Sequence, residues 1–423
     1  MVLTMLTAFA AMTQEPALRF GFLTDTHINA GGSNLDRVQK ALTLFKTNDV
    51  DLVVHGGDIC DAFYPSGYAA YSNCFEEVFA GVTPAPRKIY AVGNHDTQMN
   101  LGDTNQITAA AEALRILGAE NQHTDKRTVN GYTFLVMPYY VGGTAEGFLS
   151  WNEYEAAVSN ACEEAGAGVP VFVLEHKPPQ NTVYNSSGWG YAESKAILSK
   201  YPQVVELSGH IHGSLRNDVF FWQGAFSVVN ACCLQQWFGV LDGKAATTGK
   251  AANGVLLVDV FTDKIVITRW DVLDGTEIDP DHRWQINLPH VEATAPYNRA
   301  NLIAAEQANP PAFDGGTVLT VEAVVNGEQT TGYTLTFPQV TDNAMTYGIE
   351  VQKQSGGAWT AVAHTEIFSD FWKAPDDQSD TATYTLPSGD LEVNTTYRFS
   401  VQPVGQYGTR GVASRRKSLH RPR

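Results

Sequence analysis

From Arg19 to about Trp270 the chain alternates short apolar, β-rich runs with amphipathic stretches of helical period. That alternation admits few architectures, because a strand buried on both faces needs helices or a second sheet to cover it. The runs are Arg19 to Thr24, Asp51 to His55, Lys88 to Val92, Tyr132 to Met137, Val169 to Leu174, Gln203 to Leu207, Phe226 to Asn230, Val255 to Val260 and Lys264 to Trp270. Between them Leu35, Val38, Leu42 and Phe45 stand at helical spacing behind a cap at Ser33-x-x-Asp36, and Ile107 to Leu117 ends at Gly118. A further helix covers Glu153 to Cys162 after Asn152. The turn Thr262-Asp263 joins the last two runs as an antiparallel hairpin, so the expectation is an α/β region built on one mixed sheet.

Beyond Asp274 the pattern dissolves into proline, asparagine and alanine up to Gly316, with one helix at Asn298 to Gln307, which reads as a packed connector. From 317 to 413 the chain turns all-β, in short alternating segments at Tyr333 to Phe337, Tyr347 to Gln352, Thr381 to Leu386 and Tyr397 to Val401. Its segment Leu391-x-x-Asn394-Thr395-Thr396-Tyr397-Arg398-Phe399 resembles the tyrosine corner of a fibronectin type III domain, which implies an immunoglobulin-like sandwich as a candidate contact for a protein or carbohydrate. The last ten residues, SRRKSLHRPR, read as a solvated basic tail. Residues 1–16 begin with an apolar, small-residue run like a signal peptide's core but without a basic leader. With the fibronectin-like domain this favours an extracellular or periplasmic setting over a cytoplasmic one.

Length and charge narrow the function. A chain of 423 residues holds two or three domains, and the 28 basic against 45 acidic residues leave a net charge of −17, which repels phosphate backbones and argues against general nucleic-acid binding. No apolar run is long enough to span a membrane. The five cysteines form no C-x-x-C pair and no disulfide framework, so at least one thiol is free or pairs between chains. There is no G-x-S-x-G and no G-x-x-x-x-G-K-[ST], which removes the serine-hydrolase and nucleotide-triphosphatase signatures.

The chemistry stands where strands end. Asp25-Thr26-His27 follows the first run, Gly56-Gly57-Asp58 the second and Gly93-Asn94-His95-Asp96 the third, while Glu175-His176 and Gly209-His210-Ile211-His212 follow later ones. Carboxylates, imidazoles and an amide delivered to one edge occupy the place where α/β proteins bind ligands. Buried together without a cation they would cost several kcal/mol each. A metal pair removes that cost, and Gly57, Gly93 and Gly209 allow the tight turns it needs.

In this order, D-x-H, G-D, G-N-H-D, H and G-H-x-H, the blocks resemble the calcineurin-like metallophosphoesterase superfamily over about residues 20–270. The resemblance implies a layered β-sandwich flanked by helices and a catalytic domain over 17–273. It also implies two divalent ions, one held by Asp25, His27 and His212, the other by Asn94, His176 and His210, with Asp58 bridging. A hydroxide held between the ions would attack a small-molecule phosphomonoester or phosphodiester, with His95 as general acid and Asp96 orienting its imidazole. Nitrogen and oxygen ligands without thiolate suit Mn, Fe, Zn or Co. Where purple acid phosphatases of that superfamily carry an iron-binding tyrosine, three residues after the bridging aspartate, this sequence has Asp61. Cys60 is expected to point into packing. The rival reading is a phosphoesterase-fold protein that has lost activity and serves binding or scaffolding at the cell surface. Tyr139-Tyr140 and the loop from His176 through Lys177 to Tyr184 and Trp189 are candidate substrate contacts.

Overall fold

The computed structural model describes residues 14–97, 106–122, 124–139, 149–241, 244–251, 253–340, 344–371, 373, 375–414 and 416–421. Most of the signal-like start, together with Tyr140 and His123, therefore lies outside the described residues. The strands are β1 Leu18–Leu23, β2 Leu52–His55, β3 Arg87–Tyr90, β4 Asp125–Val129, β5 Tyr132–Val136, β6 Val171–Leu174, β7 Val204–Ser208, β8 Phe221–Gln223, β9 Ser227–Asn230, β10 Gln236–Leu241, β11 Lys244–Ala251, β12 Gly254–Val260, β13 Lys264–Asp271, β14 Thr276–Ile278, β15 Trp284–Asn287, β16 Thr320–Asn326, β17 Gln329–Pro338, β18 Ala344–Ser355, β19 Ala358–Phe368, β20 Thr381–Pro387, β21 Thr395–Gly405 and β22 Lys417–Arg421. The helices are α1 Leu35–Thr47, α2 Pro65–Val78, α3 Asn94–Thr97, α4 Gln106–Leu117, α5 Trp151–Ala165, α6 Ser186–Trp189, α7 Ala192–Leu198 and α8 Arg299–Ala308.

The nine apolar runs are all strands, but they divide between two sheets and do not share one. The first has the order β14-β13-β12-β1-β2-β3, with β15 also on β13; the second runs β4-β5-β6-β7-β9-β8. In the first, β1, β2 and β3 are parallel while β12 and β13 form the expected antiparallel hairpin. In the second, β5, β6, β7 and β9 are parallel. The two sheets pack face to face through aromatic rings: Phe20 of β1 meets Phe134 of β5 at 5.5 Å and Phe172 of β6 at 5.3 Å, both edge to face. Helices α1, α2 and α4 cover the outer face of the first sheet with Val38, Leu42, Phe45, Tyr68, Tyr71 and Leu114. On the second sheet α5 buries Tyr154, Val158 and Ala161. Period-two and fully apolar runs identify strands, but the choice of neighbour depends on contacts far apart in sequence, which is why one sheet and two read alike.

Three local expectations fail. Helix α1 starts at Leu35 behind Asn34, a left-handed N-cap whose side chain makes no capping bond, so Ser33-x-x-Asp36 is not its cap. The stretch expected as a connector contributes β14 and β15 to the first sheet before α8 forms, capped by the Asn298 side chain on Ala300 N. And the basic tail is not loose: β22 pairs with β21 from Thr395–Arg421 to Phe399–Lys417, and the Arg421 guanidinium bonds the Ser388 and Leu391 carbonyls.

The C-terminal part is an all-β sandwich of two sheets, β16-β17-β20 and β19-β18-β21-β22. Its core is drawn from both sheets, with Tyr333, Leu335, Phe337, Tyr347, Ile349, Tyr397, Phe399 and Val401 buried together. The Glu392 N–H donates to Tyr397 Oη at 2.7 Å, the bond that a tyrosine corner makes.

Candidate metal centre

All nine candidate residues lie where strands of the two sheets end. Asp25 and His27 follow β1, Asp58 follows β2, and Asn94, His95 and Asp96 open α3 after β3; His176 follows β6, while His210 and His212 follow β7. The first sheet therefore supplies all three carboxylates, the amide and two imidazoles, and the second supplies the other three imidazoles. Ligand atoms of Asp25, His27 and His212 lie within 4.8 Å of one another, as do those of Asp58, His176 and His210, and those of His27, Asp58 and His95.

The backbone is bent to achieve this. After β1 and β2 the two chains stay in register past the strands: Asp25 N donates to Gly57 O at 2.9 Å and His27 N to Asp58 O at 3.1 Å. Asp25, His27, Asp58 and His210 all adopt left-handed φ values, of 51°, 46°, 50° and 66°. Such conformations cost about 1 kcal/mol or more each for a residue with a Cβ and persist where surrounding structure over-determines them. Gly57, at φ +100°, could carry no side chain, because a Cβ would lie 2.6 Å from His176 Nδ1. At Gly93 a Cβ would lie 2.1 Å from Asp58 Oδ1.

Hydrogen bonds fix which imidazole nitrogen faces the pocket. His176 Nδ1 is 2.8 Å from the Gly56 carbonyl and His95 Nδ1 is 2.8 Å from the Asp61 carbonyl. A carbonyl only accepts, so each Nδ1 carries its proton and Nε2 is turned inward. His27 Nδ1 is held by Asp61 Oδ1 at 2.8 Å. The inward nitrogens crowd: His27 Nε2 stands 3.1 Å from His212 Nε2, and His212 Nε2 3.0 Å from Asp25 Oδ1. His176 Nε2 lies 3.1 Å from Asp58 Oδ2 without hydrogen-bond geometry, and Asn94 Oδ1 is buried with no partner. Two buried ligand atoms without hydrogen bonds, His176 Nε2 and Asn94 Oδ1, beside nitrogens and carboxylates crowded within 4.8 Å, are what a cation resolves. The donor set thus fits two divalent ions: nitrogen and carboxylate oxygen, no thiolate, and carbonyl-held imidazoles behind.

Charge among these side chains tells the same story. Burial opposes a proton on His27, but Asp25, Asp61 and Asp58 prevail and raise its pKa to about 10. Burial opposes one on His176 too, and Asp58 and Asp25 lift it to about 9. His210 goes the other way, lowered to about 3 by burial and by neighbouring His176. Burial would raise the two carboxylates, yet His212 and His176 hold Asp25 well below its usual range and His176 brings Asp58 to about 2. Two buried carboxylates are therefore neutralised by protons on imidazoles, the role that divalent ions would take over.

Asp96 does not orient His95. Its carboxylate accepts from the backbone N–H groups of Ile59, Cys60 and Gly93 and from the Tyr68 hydroxyl, so it pins the turn after β2 to the start of α3. Burial and the charge of Asp58 raise its pKa to about 6. The residue that supports His95 is Asp61, through its backbone carbonyl, and its carboxylate supports His27 as well; only the second contact depends on the residue being an aspartate. His55, buried beneath Tyr71 and Tyr90, is a second support that the sequence did not single out. Its Nδ1 accepts from Gly57 N at 3.1 Å, and burial lowers its pKa to about 3, which keeps that nitrogen an acceptor. Cys60 is buried in the core beside Tyr68 and Ile28, and all five cysteines are free thiols. Trp189, 36% exposed, stands edge to face on His210 at 5.5 Å.

Residues 18–214 match the family model of the calcineurin-like phosphoesterases. That segment contains every candidate ligand. Among solved structures, the chain is similar to a dimetal phosphatase from Danio rerio, at 12% identity over 62% of this chain and 99% of that one with a TM-score of 0.40. It is also similar to a purple acid phosphatase from seeds of yellow lupin (Lupinus luteus), at 13% identity over 64% of this chain and 55% of that one with a TM-score of 0.41. No curated protein matches it. Among the described residues no helix is long and apolar enough to cross a membrane.

Proposed function

We propose that the chain is a metal-dependent phosphoesterase, acting on a small-molecule phosphomonoester or phosphodiester. Asp25, His27 and His212 would hold one divalent ion and Asn94, His176 and His210 the other, with Asp58 shared between them. The observation that carries this reading is the crowding of ligand atoms within 4.8 Å of one another, with His176 Nε2 and Asn94 Oδ1 buried and lacking hydrogen-bond partners. When bound, the ions supply Lewis acidity and a nucleophile competent at neutral pH, and Mn, Fe, Zn or Co suits the donors.

The protein's own residues do the rest. The His95 N–H donates to Asp58 Oδ1 at 2.8 Å and so aims the bridging carboxylate. With Nδ1 committed to the Asp61 carbonyl, His95 has only Nε2 left to hand a proton to a leaving alkoxide, and we assign it as the general acid. The C-terminal sandwich is read as fibronectin type III-like, on the Tyr397 corner and its two-sheet core, and as a contact surface for a protein or carbohydrate.

The test is hydrolysis of p-nitrophenyl phosphate and bis-p-nitrophenyl phosphate by Mn-loaded protein before and after chelation, with His95→Asn alongside. Turnover that chelation abolishes is expected. His95→Asn should keep both metals and slow an alkyl ester about a hundredfold or more, and a nitrophenyl ester far less, because nitrophenolate leaves without a proton. Equal losses on both would remove His95 from the acid role. No turnover of any phosphoester by a metal-loaded sample would leave a binding protein.

A further inference from the structure

One positive charge beside the metal-ligand cluster meets neither an anion nor a hydrogen-bond acceptor among the described residues. Lys177 follows His176 directly, is half-buried, and holds its ammonium over two aromatic faces, 4.9 Å from the Tyr139 ring centre and 5.2 Å from that of Tyr191. The tyrosines are themselves tied, since Tyr191 Oη donates to the Tyr139 carbonyl at 2.9 Å, and the Tyr139 ring lies 6.1 Å from that of His176. No carboxylate and no hydrogen-bond acceptor among the described residues meets Lys177 Nζ. Cation–π contact fixes where the ammonium sits but leaves its three N–H donors unused. A half-buried, unpaired ammonium is costly in a chain that carries 45 acidic residues from which a partner could be drawn.

We infer that Lys177, clamped between Tyr139 and Tyr191, is a specificity-determining residue that binds a phosphoryl oxygen of the substrate and selects dianionic phosphomonoesters over monoanionic diesters. This rests on the phosphoesterase reading above. A monoester carries close to two negative charges at neutral pH and a diester one. A fixed ammonium beside the pocket therefore gains more from the monoester, and a charge-assisted hydrogen bond to an oxyanion is among the stronger polar contacts available.

The experiment measures kcat/KM on p-nitrophenyl phosphate and on bis-p-nitrophenyl phosphate, which share the same aryl arm, for the metal-loaded wild type, Lys177→Met and Lys177→Gln. Expected is a loss of about tenfold or more on the monoester, a smaller loss on the diester, and hence a shift of severalfold in their ratio, at unchanged metal content. Lys177→Arg, which keeps the charge, should restore the wild-type ratio. An unshifted ratio in either neutral variant with wild-type metal content overturns the inference. So does loss of metal in both, which would make Lys177 a structural residue. A wild type that hydrolyses neither ester sinks the phosphoesterase reading itself, which is a different result from an active enzyme whose ratio does not move.

Discussion

The two-sheet α/β region and the C-terminal sandwich obey different rules. In the sandwich, β17, β20 and β21 largely alternate buried positions with more accessible ones, Asn394 is the one non-glycine residue with positive φ among those described from Thr320 onward, and the buried side-chain atom left unbonded among them is the Tyr407 hydroxyl. In the α/β region, Asp25, His27, Asp58 and His210 are left-handed, and Asn94 and His176 carry buried atoms without hydrogen bonds. Both regions have well-filled cores. Left-handed backbone and unmet polarity occur elsewhere in the α/β region too, at Asn34, Asp49 and Asn253 among others, but at these strand ends they fall on side chains that could hold a cation, which would repay both.

The contrast breaks most decisively at Asp58. Asp58→Asn should lower metal content and cut turnover by on the order of a thousandfold, since one shared carboxylate sets both ions. Substantial turnover with one ion fully bound, seen by elemental analysis and kinetics together, would contradict the bridge. Asp61→Ala releases His27 Nδ1 while leaving every proposed ligand in place, and should weaken metal affinity by roughly 10–100-fold in a metal titration. Affinity equal to the wild type's would reduce Asp61 to a surface residue.

Third in size is the pH dependence of the cation-free protein. His27 and His176 rise from an ordinary 6.5 to about 10 and about 9, so the stability they contribute is full below 6.5 and is lost as pH climbs through those values. His210 and His55 fall to about 3, so the fold also loses stability as pH drops below 6.5 and the unfolded chain gains protons that the folded one refuses. Melting temperature should therefore peak near pH 6.5 and decline on both sides, and added Mn should abolish the alkaline decline. A flat profile from 6.5 to 9 without metal would show that those imidazoles do not balance Asp25 and Asp58. The smallest effect belongs to the sandwich: Tyr397→Phe strands the Glu392 N–H and should cost about 1–3 kcal/mol of that domain's stability in calorimetry, with metal content and turnover unchanged.

Much of this is legible in the sequence. The nine apolar runs announce their strands, since a run buried on both faces has few other places to go, and the five polar blocks announce the pocket because each follows such a run. What stayed hidden depends on distant pairing or on backbone atoms. Nothing in Arg19–Thr24 or Val169–Leu174 says that they belong to different sheets. Asp96 looked like a partner for His95 by adjacency, yet three backbone N–H groups claim it. Asp61 acts on His95 through a carbonyl, a group every residue has, so its identity gave no hint of that contact. The tail 417–421 is basic enough to read as solvated, and only the open edge of β21 gives it somewhere to pair.

Strand β1 lies between β2, some thirty residues onward, and β12, which comes more than two hundred residues later. Until about residue 260 has left the ribosome, one flank of the strand that presents Asp25 and His27 stays bare, although every proposed ligand has already been translated. The pocket should thus be unable to capture its ions during most of synthesis, and a chain halted shortly after His212 should emerge complete in donors but incompetent to close around them.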